Sequence, residues 1–244
     1  MRVDLTILLG LLLLPACTVH SALEPDQRLA QLGGRVSATI AQELVNLGVC
    51  HLGENRLQDA LPKIDRIRGP VKWHFIGHLQ KNKARKAARA FAMIESVDSI
   101  ELGQKLADAA DGFGVELDIL VQVNVAAERQ KSGLATEAIE ETVRALLVMP
   151  GLNVLGLMTI APIVDDSEDV RFVFAGLRRE LERLHRDGIL DRSACELSMG
   201  MSNDLEVAIE EGATMVRVGR ALFRGVEDSE VTAAKTSEDG DETR

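Results

Sequence analysis

The fold is decided by the stretch Cys195–Gly219, CELSMGMSNDLEVAIEEGATMVRVG, which holds two β-rich runs around one helical run. The runs Cys195–Met199 and Thr214–Gly219 predict strands, and Asp204–Glu211 predicts the helix between them. Gly212 stands where a glycine commonly ends a helix. Because a strand, a helix and a second strand in this order form a βαβ unit, the stretch predicts parallel strands with buried faces.

The same alternation of strand and helix runs back toward the N-terminus. A helix over Ala38–Leu47 ends at Gly48 and should follow a first strand near Leu29–Gly34, whose sequence LAQLGG is poor for a strand. Seven clear strands and a degenerate or replaced first strand predict an α/β fold, a single-domain (β/α)8 barrel of the TIM type. The other five strands are predicted at Val49–Gly53, Lys72–Gly77, Ala92–Ser96, Asp118–Asn124 and Asn153–Thr159, with helices at Ile100–Phe113, Ala135–Val148 and Asp169–Asp187.

Composition divides the 244 residues into three segments and excludes one class of partner. The net charge of −10 argues against nucleic acid, because neutralising phosphates needs a basic surface. Residues 226–244 carry seven acids and two bases without an apolar period, which predicts an acidic disordered tail. We therefore expect an atypical N-terminal segment at 1–34, a barrel at 35–225 and the tail at 226–244.

The N-terminal segment leaves the location of the protein open between two readings. The apolar run Leu5–Leu14 is too short to span a bilayer but fits a signal-peptide core, and Ala16 before Cys17 resembles a lipoprotein cleavage site. Asp4 weakens the positive region that such a signal needs, and a buried strand or a disrupted start also explains the run. We expect a cytoplasmic protein without membrane association, with export as a lipoprotein through Cys17 as the alternative.

The cysteines and histidines predict neither a disulfide framework nor a metal site. The three cysteines, Cys17, Cys50 and Cys195, are odd in number and far apart in sequence, which favours a reducing compartment. None of them has metal-ligand spacing to another, and the five histidines show none either.

Two neighbouring strand ends predict an anion site. Functional residues of a parallel barrel lie at the carboxyl ends of its strands. Ser198–Asp204 is a turn rich in Gly and Ser between a strand and a helix, so its backbone N–H groups can bind phosphate, and Gly219 ends the next strand. The structural alternative is that Ser202 or Asn203 only caps the helix.

Two further polar residues lie inside strands that should be buried. Arg217 follows three apolar or small residues, and a buried arginine needs a partner, which is either a ligand or a structural ion pair. His74 lies between Trp73 and Phe75, where a packed and hydrogen-bonded histidine is the alternative to a catalytic base.

The motifs at the strand ends together resemble one family, the pyridoxal 5′-phosphate (PLP) homeostasis proteins, which share the fold of the alanine racemase N-terminal barrel. The resemblance runs from about Ala38 to Phe223. It implies a non-catalytic PLP-binding protein of intracellular vitamin B6 homeostasis, a monomer whose recipients are PLP-dependent apo-enzymes. The motifs are GENR at 53–56, WHFIG at 73–77, LQKNK at 79–83, SVDS at 96–99, QVN at 122–124, KSG at 131–133, GLM at 156–158, SMGMS at 198–202 and VRVG at 216–219.

The resemblance also implies roles for individual residues. The cofactor phosphate would be surrounded by Ser198, Gly200, Ser202 and Gly219. Arg217 would face the pyridine nitrogen and weaken the cofactor as an electron sink. The ring would be lined by Asn55 and His74.

One departure from the family concerns covalent attachment of the cofactor. Counting back from Gly48 and Gly53 without gaps places the family's Schiff-base lysine at Gly34, and no lysine precedes Lys63. Glycine has no amine, so no catalytic residue is predicted, and PLP is bound without a covalent bond, or is not bound, or the start of the chain is disrupted. A second departure is Arg220, where the family usually has a small hydroxyl residue.

Two other functions remain open at this point. A PLP-dependent racemase or decarboxylase would use a tyrosine acid and a second domain, and the chain has no tyrosine and no room for that domain. A phosphate-binding member of the family that has lost PLP is the other alternative.

Overall fold

The computed structural model describes residues 28–32, 36–128 and 132–223. Eight parallel strands form a closed barrel in sequential order, with β1 hydrogen-bonded to both β2 and β8. The strands are β1 Arg28–Gln31, β2 His51–Glu54, β3 Lys72–Phe75, β4 Met93–Val97, β5 Leu117–Gln122, β6 Leu152–Met158, β7 Glu196–Met201 and β8 Met215–Val218. The α-helices are α1 Ala38–Asn46, α2 Leu57–Arg66, α3 Ala84–Ala90, α4 Ile100–Phe113, α5 Ile139–Leu147, α6 Arg171–Arg186 and α7 Leu205–Glu210.

The first strand is present although its sequence is poor for one. Ala30 lies opposite Leu52 of β2, and Leu29 lies opposite Arg217 of β8, so β1 closes the ring. Pairing on both edges is made by the backbone and does not require β-branched side chains. The barrel prediction is confirmed, and its first strand begins at Arg28, inside the segment that composition had separated from the barrel.

Two apolar clusters lie on the two faces of the sheet. Successive side chains of a strand point to opposite faces, so strands such as β1, β4 and β5 supply both clusters. The larger cluster packs the strands against the helices, and in α6 it includes Leu177, Leu181 and Leu184, the stripe that helical spacing predicts. The smaller cluster fills the barrel interior and consists of Leu29, Ile76, Met93, Leu120, Met158 and Met215.

Several predictions fall on residues outside the described part of the chain. These are the apolar run Leu5–Leu14, Cys17, Gly34, Lys131 and the acidic tail at 226–244. Among the described helices, none is both long and apolar enough to cross a bilayer.

Candidate functional site

A buried arginine anchors a polar network inside the barrel. Arg217 on β8 is 2% exposed, and its Nη1 donates to Ser198 Oγ at 2.7 Å while its Nη2 donates to the Thr159 carbonyl at 2.8 Å. Ser198 Oγ in turn donates to Glu95 Oε2 at 2.5 Å. Because the hydroxyl has a single proton, which goes to Glu95, Ser198 has no hydrogen left to give to a phosphate.

The network continues from Glu95 to two histidines. Glu95 Oε1 is 2.8 Å from His74 Nδ1, and His74 Nε2 is 2.8 Å from His51 Nδ1. Both ring nitrogens of His74 are therefore used within the barrel. The structure shows the packed and hydrogen-bonded histidine that was the alternative to a base, and only the carbon atoms of the ring remain to contact a ligand.

The environment of the network sets the charge on its members. Burial alone would raise the pKa of Glu95, but the hydrogen bond and charge of His74 and the charge of Arg217 outweigh burial and hold that pKa below its usual value. Burial lowers the pKa of Arg217, against the charges of Glu95 and Asp204. A guanidinium titrates so far above neutrality that Arg217 stays protonated, so the interior holds a carboxylate and a cation bridged by a serine.

A second group of residues forms the turn after β7, at the barrel mouth. Ser202 Oγ accepts hydrogen bonds from Gly219 N at 3.3 Å and from Ala221 N at 3.2 Å. Gly200 has φ +90°, and a Cβ there would lie 2.5 Å from Ala208 Cβ, so only glycine fits. The structure thus brings Gly200, Ser202 and Gly219 together, as predicted for a phosphate cradle.

One acidic residue reduces the anion-binding capacity of the turn. Asp204 Oδ1 accepts from Met201 N at 2.5 Å, so the N–H of Met201 is already used and a carboxylate faces the turn. The N–H groups of Gly219 and Ala221 are bonded to Ser202 Oγ, so a phosphate at this place would have to replace Ser202 as their acceptor.

An unsatisfied amide lies next to the same turn. Gln31 at the end of β1 has a buried Oε1 without a hydrogen-bond partner among the described residues. A Cβ on Gly219 would lie 3.1 Å from the Gln31 carbonyl oxygen, so the two strands approach closely here. Since buried polar atoms are nearly always paired, the free end of Gln31 favours a ligand at the mouth.

Asn55 is separated from these groups. It follows β2 and lines a cavity with residues of α2 and of the segment after β3. Among the hydrogen bonds of the described residues, none joins its side chain to Arg217, Ser198 or Ser202. Its predicted contact with the ring stays a prediction.

The lysines of the described ranges lie outside the buried network. Lys63, the buried one, donates to Glu54 Oε1 at 2.5 Å, and burial raises the pKa of Glu54 in spite of that contact. Glu54 points from β2 toward α2, away from the barrel interior. Lys72 begins β3 at the opposite end of the barrel, and the exposed Lys81 lies 3.8 Å from Glu101.

Sequence reasoning missed four members of the site, Glu95, His51, Thr159 and Gln31. A signal for Glu95 existed, because a carboxylate in the middle of a strand with apolar neighbours must find a partner. Gln31 and His51 gave no such signal, since polar residues near strand ends are ordinary. Within the described chain, no group of three or more His, Cys, Asp or Glu could hold a metal ion.

Comparisons with known proteins agree on one family. A family model for the alanine racemase N-terminal domain matches residues 32–226. The chain is 40% identical over 189 residues to the pyridoxal phosphate homeostasis protein of Aquifex aeolicus, covering 77% of this chain and 82% of that one. It is 38% identical over 208 residues to the protein of the same name in Pseudomonas aeruginosa, covering 80% and 88%.

Solved structures give the same fold. PipY of Synechococcus elongatus with PLP bound is 33% identical, with a TM-score of 0.78 over 89% of this chain and 99% of that chain. An alanine racemase of Clostridium difficile is 16% identical with a TM-score of 0.72, covering 90% of this chain and 56% of the racemase. At that identity the racemase shares the fold only.

Proposed function

The chain belongs to the pyridoxal phosphate homeostasis protein family, and we propose that it binds PLP at the carboxyl end of its barrel and serves PLP homeostasis without turning over a substrate. The observation that carries the proposal is the convergence of the Gly219 and Ala221 N–H groups on the Ser202 hydroxyl, beside the cramped Gly200. A phosphate oxygen would replace Ser202 Oγ as the acceptor of these backbone donors, and the Ser202 hydroxyl would then donate to the phosphate.

The buried network supports a role in holding a ligand. When bound, PLP supplies an aldehyde and an electron-withdrawing pyridine ring. Arg217 is fixed by Ser198 and Thr159 before any ligand arrives, and its guanidinium can donate to a ring nitrogen but cannot protonate it. An unprotonated ring is a weak electron sink, which supports binding rather than catalysis.

The positions of the lysines support attachment of PLP without a covalent bond. None of those in the described chain joins the Arg217 network, and the aligned lysine position is Gly34, outside the described residues. A ligand held by hydrogen bonds and charge can be released to PLP-dependent apo-enzymes, which we propose as recipients of a cytoplasmic monomer. Cys50 and Cys195 are free thiols, which supports a reducing compartment.

To test the proposal, the purified protein is titrated with PLP, and bound PLP is measured by absorbance and by equilibrium dialysis. Ser202→Asp places a carboxylate where the phosphate would bind, so we expect PLP affinity to fall at least about tenfold. Ser193→Asp, on the exposed loop before β7, is the matched control and should bind as the parent does. Equal binding by the parent and Ser202→Asp would overturn the cradle.

A variant at Gly200 also tests the cradle, but its folding must be measured as well. Gly200→Val should abolish PLP retention, but its side chain also meets Ala208, so circular dichroism must first show a folded barrel. Ser202→Asp does not depend on that packing, and therefore keeps the proposal testable if Gly200→Val fails to fold.

Covalent attachment is tested by restoring the amine. Gly34→Lys should give a PLP adduct that borohydride fixes, whereas the parent should give none. An adduct on the parent would assign the role to another lysine. Racemase turnover above about 1 s⁻¹ with PLP supplied would contradict the non-catalytic proposal.

A further inference from the structure

A cavity of about 370 Å³ lies outside the barrel, between α2 and the segment that leads from β3 into α3. We call it the α2–α3 cavity. Its floor is apolar and consists of Leu57, Leu61, Phe75 and Leu79, of which Phe75 and Leu79 are 2% exposed. The volume lies near the lower end of the range for small-molecule sites.

The rim of the α2–α3 cavity carries positive charge. Arg56, Lys83 and Lys86 line it and are exposed, and no carboxylate lines it. Within the described residues, none of the three forms an ion pair or a side-chain hydrogen bond. Three unpaired cations around one cavity repel each other, in a chain whose net charge is −10. An anion in the cavity removes that repulsion.

Further polar groups at the rim can orient an anion. Gln58 and Gln80 line the cavity with exposed side-chain amides. His78 also lines it, and its Nδ1 lies 3.6 Å from Asp98 Oδ2 and 3.2 Å from Ser132 Oγ. Asp98 therefore contacts a rim residue, His78, but does not itself line the cavity.

We propose that the α2–α3 cavity binds a small organic phosphate, with the phosphate on the cationic rim and an apolar body on the Phe75 floor. The three cations match a dianion better than a single carboxylate, and the floor excludes a fully hydrated inorganic ion. The cavity is formed around β2 and β3, whereas the proposed phosphate cradle is formed by β7 and β8, so the cationic rim and the cradle share no residue.

The test uses phenyl phosphate as the probe and isothermal titration calorimetry on the full chain. Benzyl alcohol lacks the charge and inorganic phosphate lacks the apolar body, so both should bind at least tenfold more weakly. The double variant Lys83→Gln, Lys86→Gln should weaken phenyl phosphate binding about tenfold. The matched control Arg89→Gln, Lys105→Gln removes two exposed charges elsewhere and should bind like the parent.

The outcomes separate this site from the PLP cradle. PLP is itself an organic phosphate, so the Lys83, Lys86 double variant should lose only a weaker second PLP-binding event and keep the tighter event within twofold of the parent, and Ser202→Asp should keep phenyl phosphate binding. Loss of all phenyl phosphate binding in Ser202→Asp, or equal binding by the double variant and its control, would overturn the cavity proposal. If the tighter PLP-binding event is absent while phenyl phosphate binding depends on Lys83 and Lys86, the proposed function fails and the cavity proposal stands.

Discussion

Two clusters of charged side chains in this molecule have similar hydrogen-bond lengths and opposite surroundings. In the barrel interior, Glu95, Ser198 and Arg217 are joined at 2.5 and 2.7 Å. On the surface, Arg171 contacts Glu168 at 2.7 Å and Glu210 at 2.6 Å. The side chain of Arg171 is 33% exposed, whereas Arg217 is 2% exposed.

The difference shows that distance alone does not set the importance of an ion pair. Water solvates the surface cluster whether or not its contacts form, so breaking one contact costs little. In the interior no water replaces a lost partner, and the remaining charge is left unpaired at low dielectric.

Removing the interior carboxylate should have the largest effect. Glu95→Ala removes the carboxylate that Ser198 links to Arg217 and leaves Asp204 as the remaining negative charge acting on it, so we expect the free energy of unfolding to fall by about 3–5 kcal/mol. Urea denaturation followed by circular dichroism measures it. Glu168→Ala, in the surface cluster, is the control and should unfold like the parent; similar losses in both variants would contradict the contrast.

A double-mutant cycle should show coupling in the interior alone. We expect Glu95→Gln and Arg217→Met to be non-additive by roughly 1–3 kcal/mol, because Ser198 bridges the two residues. The cycle of Glu168→Gln and Arg171→Met should be additive within error. Additive behaviour in the interior cycle would mean that Ser198 does not transmit the interaction.

The stability of the protein should depend on pH through Glu95. The folded pKa of Glu95 is lowered from 4.5, because His74 and Arg217 outweigh the effect of burial. Its contribution is therefore fully present above pH 4.5 and is lost as the pH falls through the lower folded pKa. The stability difference between the parent and Glu95→Gln should shrink below pH 4.5, and a constant difference down to pH 3 would contradict the shift.

The surface cluster should give the smallest effect, and one that salt removes. Arg171→Met should lower Tm by roughly 1–2 °C in low salt, with no difference in 1 M NaCl, since exposed charges are screened. Differential scanning calorimetry at the two salt concentrations measures it. The Glu95→Ala loss should persist in 1 M NaCl, because the interior pair is shielded from ions.

Local patterns predicted most of the barrel, and the failures came from contacts distant in sequence. The helix Ile100–Phe113 has the predicted bounds, because Ser99 caps its start and the left-handed Gly114 ends it. Strand β1 has no local pattern of its own, because pairing with β2 and β8 forms it. The site shows the same division: the turn at Gly200 was predicted from a local motif, whereas the buried network was not.

The part of the site that could not be predicted depends on which face of the sheet each side chain points to. Ser198 was grouped with the turn by its neighbours in sequence, yet its side chain belongs to the interior, 2.7 Å from Arg217. Glu95 is 103 residues away from Ser198 along the chain, and only closure of the barrel brings them together. Glu95 and Arg217 are both charged residues in strands with apolar neighbours, and their shared need for a partner is the signal that could have linked them.

The fixed guanidinium of Arg217 has a kinetic consequence. Because Ser198 and Thr159 hold it in place, no side-chain ordering precedes capture, and association need not be slowed by rearrangement. For a dissociation constant on the order of 1 µM and an association rate of about 10⁶ M⁻¹ s⁻¹, the mean dwell time is about one second. Under the proposed attachment without a covalent bond, a ligand held for about one second would leave without a chemical step.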